Sequence, residues 1–134
     1  MADIQFLNPV GLVDARPIGF CHVSIAPAGR TIHVAGQTAV GGDGRHDPDD
    51  DLAAQTRKAL ANLVVALDAA GATPADLVAL RVYVVNLERS MFPDIAAEVA
   101  RFVGDAQPPP ATWIGVTSLL SPRALIEIEG VAVV

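Results

Sequence analysis

The sequence predicts an α+β fold, a mixed sheet with two helices covering one of its faces. Two stretches repeat apolar residues at helical spacing, several others alternate them at period two, and 134 residues is a single-domain length. The predicted order is β-β-α-β-α-β-β in one domain spanning 1–134. Each helix has one apolar stripe to bury, so both belong on a sheet face. The other face then needs a partner, and copies of the same chain are the economical one.

Residues 1–17 carry Pro9, Gly11 and Pro17 among isolated apolar residues, which predicts an irregular arm with room for one short strand. Phe20–Ile25 and Thr31–Ala35 alternate around Ala26-Pro27-Ala28-Gly29-Arg30 and read as a hairpin. A glycine-rich loop then leads to Asp50 and Asp51, either of which can cap a helix from Leu52 to Ala70. Leu52, Ala59, Leu60, Leu63, Val64 and Leu67 form its stripe, and Gly71 stops it. Val78–Leu87 reads as a long strand with Leu80, Val82 and Val84 on one side and Arg81, Tyr83 and Val85 on the other. Ser90 is placed to cap a second helix through Phe102, whose stripe is Phe92, Ile95, Val99 and Phe102. Strands at Thr112–Val116 and Leu125–Val134 complete the sheet.

Composition narrows the function. Hydrophobic residues make up 51% against 18% charged, enough apolar surface to offset chain entropy and to leave some over for self-association. Nine basic against fifteen acidic residues give a net charge of −6, the wrong sign for a phosphate backbone, so no nucleic-acid partner is expected. No apolar run approaches the roughly 18 residues of a membrane span, so no membrane partner is expected either. Cys21 has no second cysteine to pair with, and no signal segment is evident at the start, which makes the cytoplasm the expected compartment.

Among residues able to carry chemistry, Glu127 ranks first. In Ile126-Glu127-Ile128-Glu129 the alternation puts both carboxylates on one face, roughly 7 Å apart, and Val131 and Val133 continue that face. Most glutamates in half-exposed strands simply meet water. A carboxylate on a partly apolar surface is instead suited to a cleft, where it can hold or activate water. Cys21 and His22 are neighbours on a strand, point to opposite faces and cannot form a nucleophile–base dyad. A hairpin would bring His22 and His33 together, but a third metal ligand is missing, so no metal site is expected. Gly36, between Ala35 and Gln37, permits close approach to the backbone or marks a bulge.

Several segments together resemble one family: Gly36-Gln37 after a strand, Ala53-Ala54-Gln55-Thr56-Arg57 through Ala61-Asn62-Leu63, Ala70-Gly71-Ala72, and Ile126-Glu127-Ile128-Glu129-Gly130-Val131-Ala132-Val133. From about Ile18 onward the chain resembles the Rid family of reactive-intermediate deaminases, also called YjgF or L-PSP. The resemblance implies a chorismate-mutase-like fold, a homotrimer whose sheets form a central barrel, and a small-molecule cleft at each subunit interface. It implies hydrolysis of enamines and imines to ketones and ammonia without a cofactor. An arginine in a Pro-Ala-Arg-Ser strand holds the substrate carboxylate, and a glutamate of the last strand positions water.

Carried onto this chain, that glutamate is Glu127. The arginine is absent: Ala111 is taken to stand in its place, followed by Thr112-Trp113-Ile114-Gly115-Val116. The family's Tyr-Ser-Gln falls on Phe20, Cys21 and His22, and the serine before Gly-Gln on Ala35. The expected cleft is therefore Phe20, His22, Ala35, Gly36, Gln37, Ala111 and Thr112 around Glu127. Losing a bidentate arginine removes roughly 1.5–3 kcal/mol of binding, which favours a less anionic ligand such as a neutral imine or enamine. Two other readings stay open: a 2-imino-acid deaminase in which Arg81 or Arg123 supplies the cation, and a non-catalytic sensor or partner-binding trimer.

Overall fold

A computed structural model describes residues 3–134. The first two residues of the arm lie outside the described residues. Strand β1 (Gln5–Leu7) pairs antiparallel with β2 (Val23–Ile25) in a small sheet of its own. The main sheet runs β3-β6-β4-β5, from β3 (Thr31–Gln37), β4 (Leu77–Val85), β5 (Ala111–Val116) and β6 (Ile126–Val133). Its β3–β6 and β6–β4 pairs are antiparallel and β4–β5 is parallel. Helices α1 (Leu52–Ala69) and α2 (Phe92–Val103) pack on one face. The α+β class and the element order are as the sequence predicts.

The expected hairpin does not form. β2 pairs with β1, while β3 lies at the sheet edge against β6, and Arg30 and Val134 exchange backbone hydrogen bonds of 2.7 and 3.1 Å at its start. The eight alternating residues of β6 give β3 a longer apolar partner than the three of β2. Phe20–His22 fall outside the strand altogether: the Cys21 N–H meets the Pro109 carbonyl at 3.5 Å and the His22 N–H donates to Leu7 at 3.2 Å. The Ser24 hydroxyl donates to the Val78 carbonyl at 2.7 Å and ties the small sheet to β4.

Helix α1 begins where the acidic run ends, with the Asp51 carboxylate accepting the Ala54 N–H at 2.8 Å. It stops at Gly71, whose φ of +75° lets the Ala72 N–H turn back to the Leu67 carbonyl at 2.9 Å. Ser90 does not cap α2. A short 3₁₀ turn at Arg89–Met91 runs straight into that helix, so the chain is already helical at Ser90 and Met91 is the capping position. The core between helices and sheet is Leu63 and Leu67 from α1, Ile95 from α2, Val82 and Val84 from β4, and Ile126 and Ile128 from β6, all fully buried. Each contributes about 1.5–3 kcal/mol. Glu98 is buried at the helix interface, held at 3.1 Å by Arg57 and 2.6 Å by Arg101, which keep its carboxyl below the ordinary pKa. No helix among the described residues is long and apolar enough to cross a membrane.

Candidate functional site

With the helices on one face, alternation turns Arg81 and Tyr83 of β4 and Glu127 and Glu129 of β6 onto the other. The register sets Tyr83 opposite Glu127 and Arg81 opposite Glu129. The two carboxylates then part company. Glu129 accepts from the Tyr83 hydroxyl at 2.9 Å and from Arg81 at 3.2 Å. The hydrogen bond to that carboxylate, with some burial, raises the Tyr83 pKa. Glu127 makes no side-chain hydrogen bond or ion pair among the described residues.

Glu127 instead lies across the backbone of Gly36. Between Val34 and Gln37, β3 advances three residues while β6 advances two, so Ala35 and Gly36 share one place in the ladder. A Cβ on Gly36 would stand 2.2 Å from Oε1 of Glu127 and 2.7 Å from its Cδ. Glycine here is a requirement of the carboxylate's position. Gln37 folds back, its amide donating to the Ala35 carbonyl at 3.1 Å.

The remaining expected residues gather at the β4–β5 edge. Phe20, His22, Ala111 and Thr112 line a cavity of about 300 Å³ together with Arg81. Phe20 and His22 meet edge to face with ring centroids 5.8 Å apart. The His22 Nε2 lies 2.7 Å from the Val13 carbonyl, which can only accept, so Nε2 carries a proton and Nδ1 is the nitrogen left for chemistry. Buried Cys21 donates its thiol to Val23 at 3.4 Å, and burial raises its pKa, which suits packing rather than nucleophilic attack. Ala35 lines a second cavity, about 360 Å³, with His33, Glu129 and again Arg81. Arg81 thus joins the two cavities, while Glu127 and Gly36 line neither.

His22 precedes β2 of the small sheet and His33 lies on β3 of the main one, so the hairpin that would have paired them does not form. No cluster of three or more metal-ligating side chains occurs among the described residues. Arg123 lies in the loop before β6, its carbonyl accepting from Gln55 at 2.9 Å, and lines neither of these cavities. The pairing of Tyr83 and Arg81 with Glu129 is the part that sequence reasoning missed. Alternation places all three on the open face, and only the β4–β6 register makes them neighbours.

Residues 17–134 match the family model described as Endoribonuclease L-PSP. The chain belongs to the L-PSP family. Among solved structures, the Rid family protein YyfB from Yersinia pestis, described as of unknown function, is 42% identical over 98% of both chains with a TM-score of 0.94. Rv2704 from Mycobacterium tuberculosis, a member of the YjgF/YER057c/UK114 family, is 33% identical over 98% of this chain and 99% of its own, TM-score 0.66. The YjgF gene product of E. coli is 30% identical over 80% and 83%, TM-score 0.70. No curated protein matches. The Rid-type fold and membership read from the sequence therefore hold.

In this L-PSP chain the position of the missing arginine needs correction. Ala111 pairs with Leu80, and its side chain packs against the core. Thr112 pairs with Arg81 and is exposed on the open face. Because strand neighbours point oppositely, an arginine directed onto the open face would occupy Thr112, which is also the third place of Pro110-Ala111-Thr112 set beside Pro-Ala-Arg.

Proposed function

We propose that this L-PSP family protein is a homotrimer with a small-molecule cleft at each subunit interface, where it hydrolyses a neutral imine or enamine to a carbonyl compound and ammonia. The observation that carries the reading is a carboxylate of the open face with no partner among the described residues, Glu127 laid against Gly36. A water held there adds to the imine carbon while Glu127 takes one of its protons and passes it to the nitrogen, giving a carbinolamine; an enamine first becomes the imine by moving a proton from nitrogen to carbon. The carbinolamine hydroxyl then gives up its proton, through the same carboxylate, to the amine nitrogen as the C–N bond breaks, leaving the carbonyl compound and ammonia. His22 Nδ1 is a second proton carrier. Because Glu127 lines neither cavity of its own chain, the trimer interface has to bring it to the ligand; Thr112 in place of a cation, and Arg81 already paired with Glu129, leave the β4–β5 cavity suited to an uncharged ligand. Self-association is supported by exposed Leu7, Val23 and Ile25 on the small sheet and by the helix-free face of the main one. The acidic balance of the chain argues against RNA as the substrate. The expected compartment is the cytoplasm.

One observation favours a second reading. Arg81 stands one strand from Thr112 on the same face, and its guanidinium keeps donors beyond those given to Glu129, which would let it hold a 2-imino acid by its carboxylate. Ammonia release from freshly generated neutral imines and from 2-imino acids separates the two, using wild type, Glu127→Gln and Arg81→Gln. The neutral-imine reading requires acceleration that vanishes with Glu127→Gln and survives Arg81→Gln. Turnover of imino acids alone, lost with Arg81→Gln, would replace it with the second reading. No acceleration of either class would leave a binding protein or sensor.

A further inference from the structure

We infer that the protein holds a phosphate group between the loop joining β3 to α1 and the loop joining β5 to β6. A cavity of about 450 Å³ opens there, with Arg45, His46, Ser121 and Arg123 as its polar walls. The other lining residues are glycine and proline, and none is acidic. Such a concentration of positive charge stands out in a chain of net charge −6.

The cations elsewhere are largely spoken for. Arg16, Arg57, Lys58, Arg81 and Arg101 each face a carboxylate, and Arg30 donates to the Ala70 carbonyl at 3.0 Å. The guanidinium groups of Arg45 and Arg123 have no partner among the described residues. Of the carboxylates in the same loop, Asp43 accepts the Arg45 backbone N–H at 3.0 Å, Asp47 accepts the Asp49 N–H at 3.0 Å and faces Lys58 at 3.8 Å, Asp50 holds Lys58 at 2.6 Å and Asp51 caps α1, while the Asp49 side chain has no partner among the described residues.

Both loops are fastened to α1. Buried Gln55 donates to the Arg123 carbonyl at 2.9 Å and accepts the Leu125 N–H at 2.8 Å. Asn62 donates to the Thr38 and Val40 carbonyls, both at 2.8 Å, and the Gly41 N–H closes the turn onto the Arg45 carbonyl at 2.8 Å. The two arginines are therefore carried on fixed backbones, which lowers the ordering cost of binding. His46 sets Nδ1 3.5 Å from the Ser121 hydroxyl and leaves Nε2 buried without a partner, an unsatisfied group that a bound oxyanion or its water would satisfy. Two guanidinium forks match the several oxygens and double charge of a phosphate, whereas a monocarboxylate occupies one fork. The site shares no lining residue with the two cavities at Arg81 and does not include Glu127, so its test does not depend on the imine chemistry.

Calorimetric titration of the full chain with inorganic phosphate, adenosine monophosphate and acetate at constant ionic strength tests the assignment. Saturable phosphate binding is expected, weakened about tenfold or more by Arg45→Gln or by Arg123→Gln, with acetate much weaker. Both arginines are exposed, so each single variant keeps the unliganded thermal midpoint. Tighter binding of the monophosphate would identify the ligand as a phosphorylated small molecule, and tighter binding of inorganic phosphate would identify the free ion. Absence of saturable heat, undiminished affinity in both variants, or acetate binding as tightly as phosphate would overturn the assignment.

Discussion

Replacing Gly36 by alanine isolates the position of Glu127 from its chemistry. The carboxylate stays in the chain and only its resting place is taken: the new methyl group would meet Oε1 at 2.2 Å, Cδ at 2.7 Å and Cγ at 2.8 Å. Heavy atoms in ordinary contact stand about 3.5 Å apart, so the carboxylate must retreat by about 1 Å or more. The atoms displaced are the end of a flexible side chain on an open face, and Gly36 does not have the positive φ that would strain alanine. Alanine in a strand also gains roughly 0.5–1 kcal/mol over glycine. The fold should survive, with a thermal midpoint within about 4 °C of wild type. On the proposed function turnover should not survive: a displacement of about 1 Å at the carboxylate proposed to hold water is expected to reduce kcat about 100-fold. Ammonia release from a neutral imine and thermal unfolding of the same preparation check both halves. Gly130→Ala is the control, because its Cβ would press on Leu77 at 2.9 Å within the core and should cost stability, about 1–3 kcal/mol. A Gly36→Ala protein that turns over at the wild-type rate would refute the role given to the Glu127–Gly36 contact.

Other outcomes follow from the same face and from the helix interface. The chain has one tyrosine, so its ultraviolet titration reads Tyr83 directly; the midpoint should lie above 10.0 and fall back in Glu129→Gln, the variant that removes the carboxylate acceptor. Thr112→Arg should raise imino-acid turnover if the rest of the cleft is sound, whereas Ala111→Arg should yield unstable protein because that side chain turns to the core. Equal effects of the two would contradict the β4–β5 register. Glu98 has a depressed folded-state pKa, so its contribution is full above the ordinary 4.5 and lost as pH falls through the lower folded value. Glu98→Gln should therefore lower the midpoint at pH 7 by roughly 2–5 °C, and the gap should close in acid; a gap that widened below pH 4 would count against the ion pairs.

Local patterns were legible from the sequence where one physical signal dominates. The α1 stripe, its Asp51 cap and the Gly71 stop follow from helical period and backbone preference alone, as do the buried side of β4 and the alternation of β6. The family segments also lie in the sequence, because they are runs of neighbouring residues. Ser90 does not cap α2, because a capping side chain is only one way to start a helix and the 3₁₀ turn at Arg89–Met91 supplies another.

Pairing was decided elsewhere. A strand's own residues state which way its side chains point but not which strand lies beside it, so the hairpin expected at Ala26–Arg30 gave way to the longer apolar partner that β6 offered β3. Everything that depends on pairing moved with it. His22 and His33 separated, Glu129 gained Tyr83 and Arg81, and Glu127 came to rest on Gly36 through a bulge invisible in either strand alone. The choice between Ala111 and Thr112 is the smallest case: one step in register changes which face a side chain meets. The sequence by itself determined the elements, their faces and Glu127 as the residue to watch. Tertiary structure alone decided the neighbours, because hydrogen-bonded register is a property of two strands and cannot be read from one.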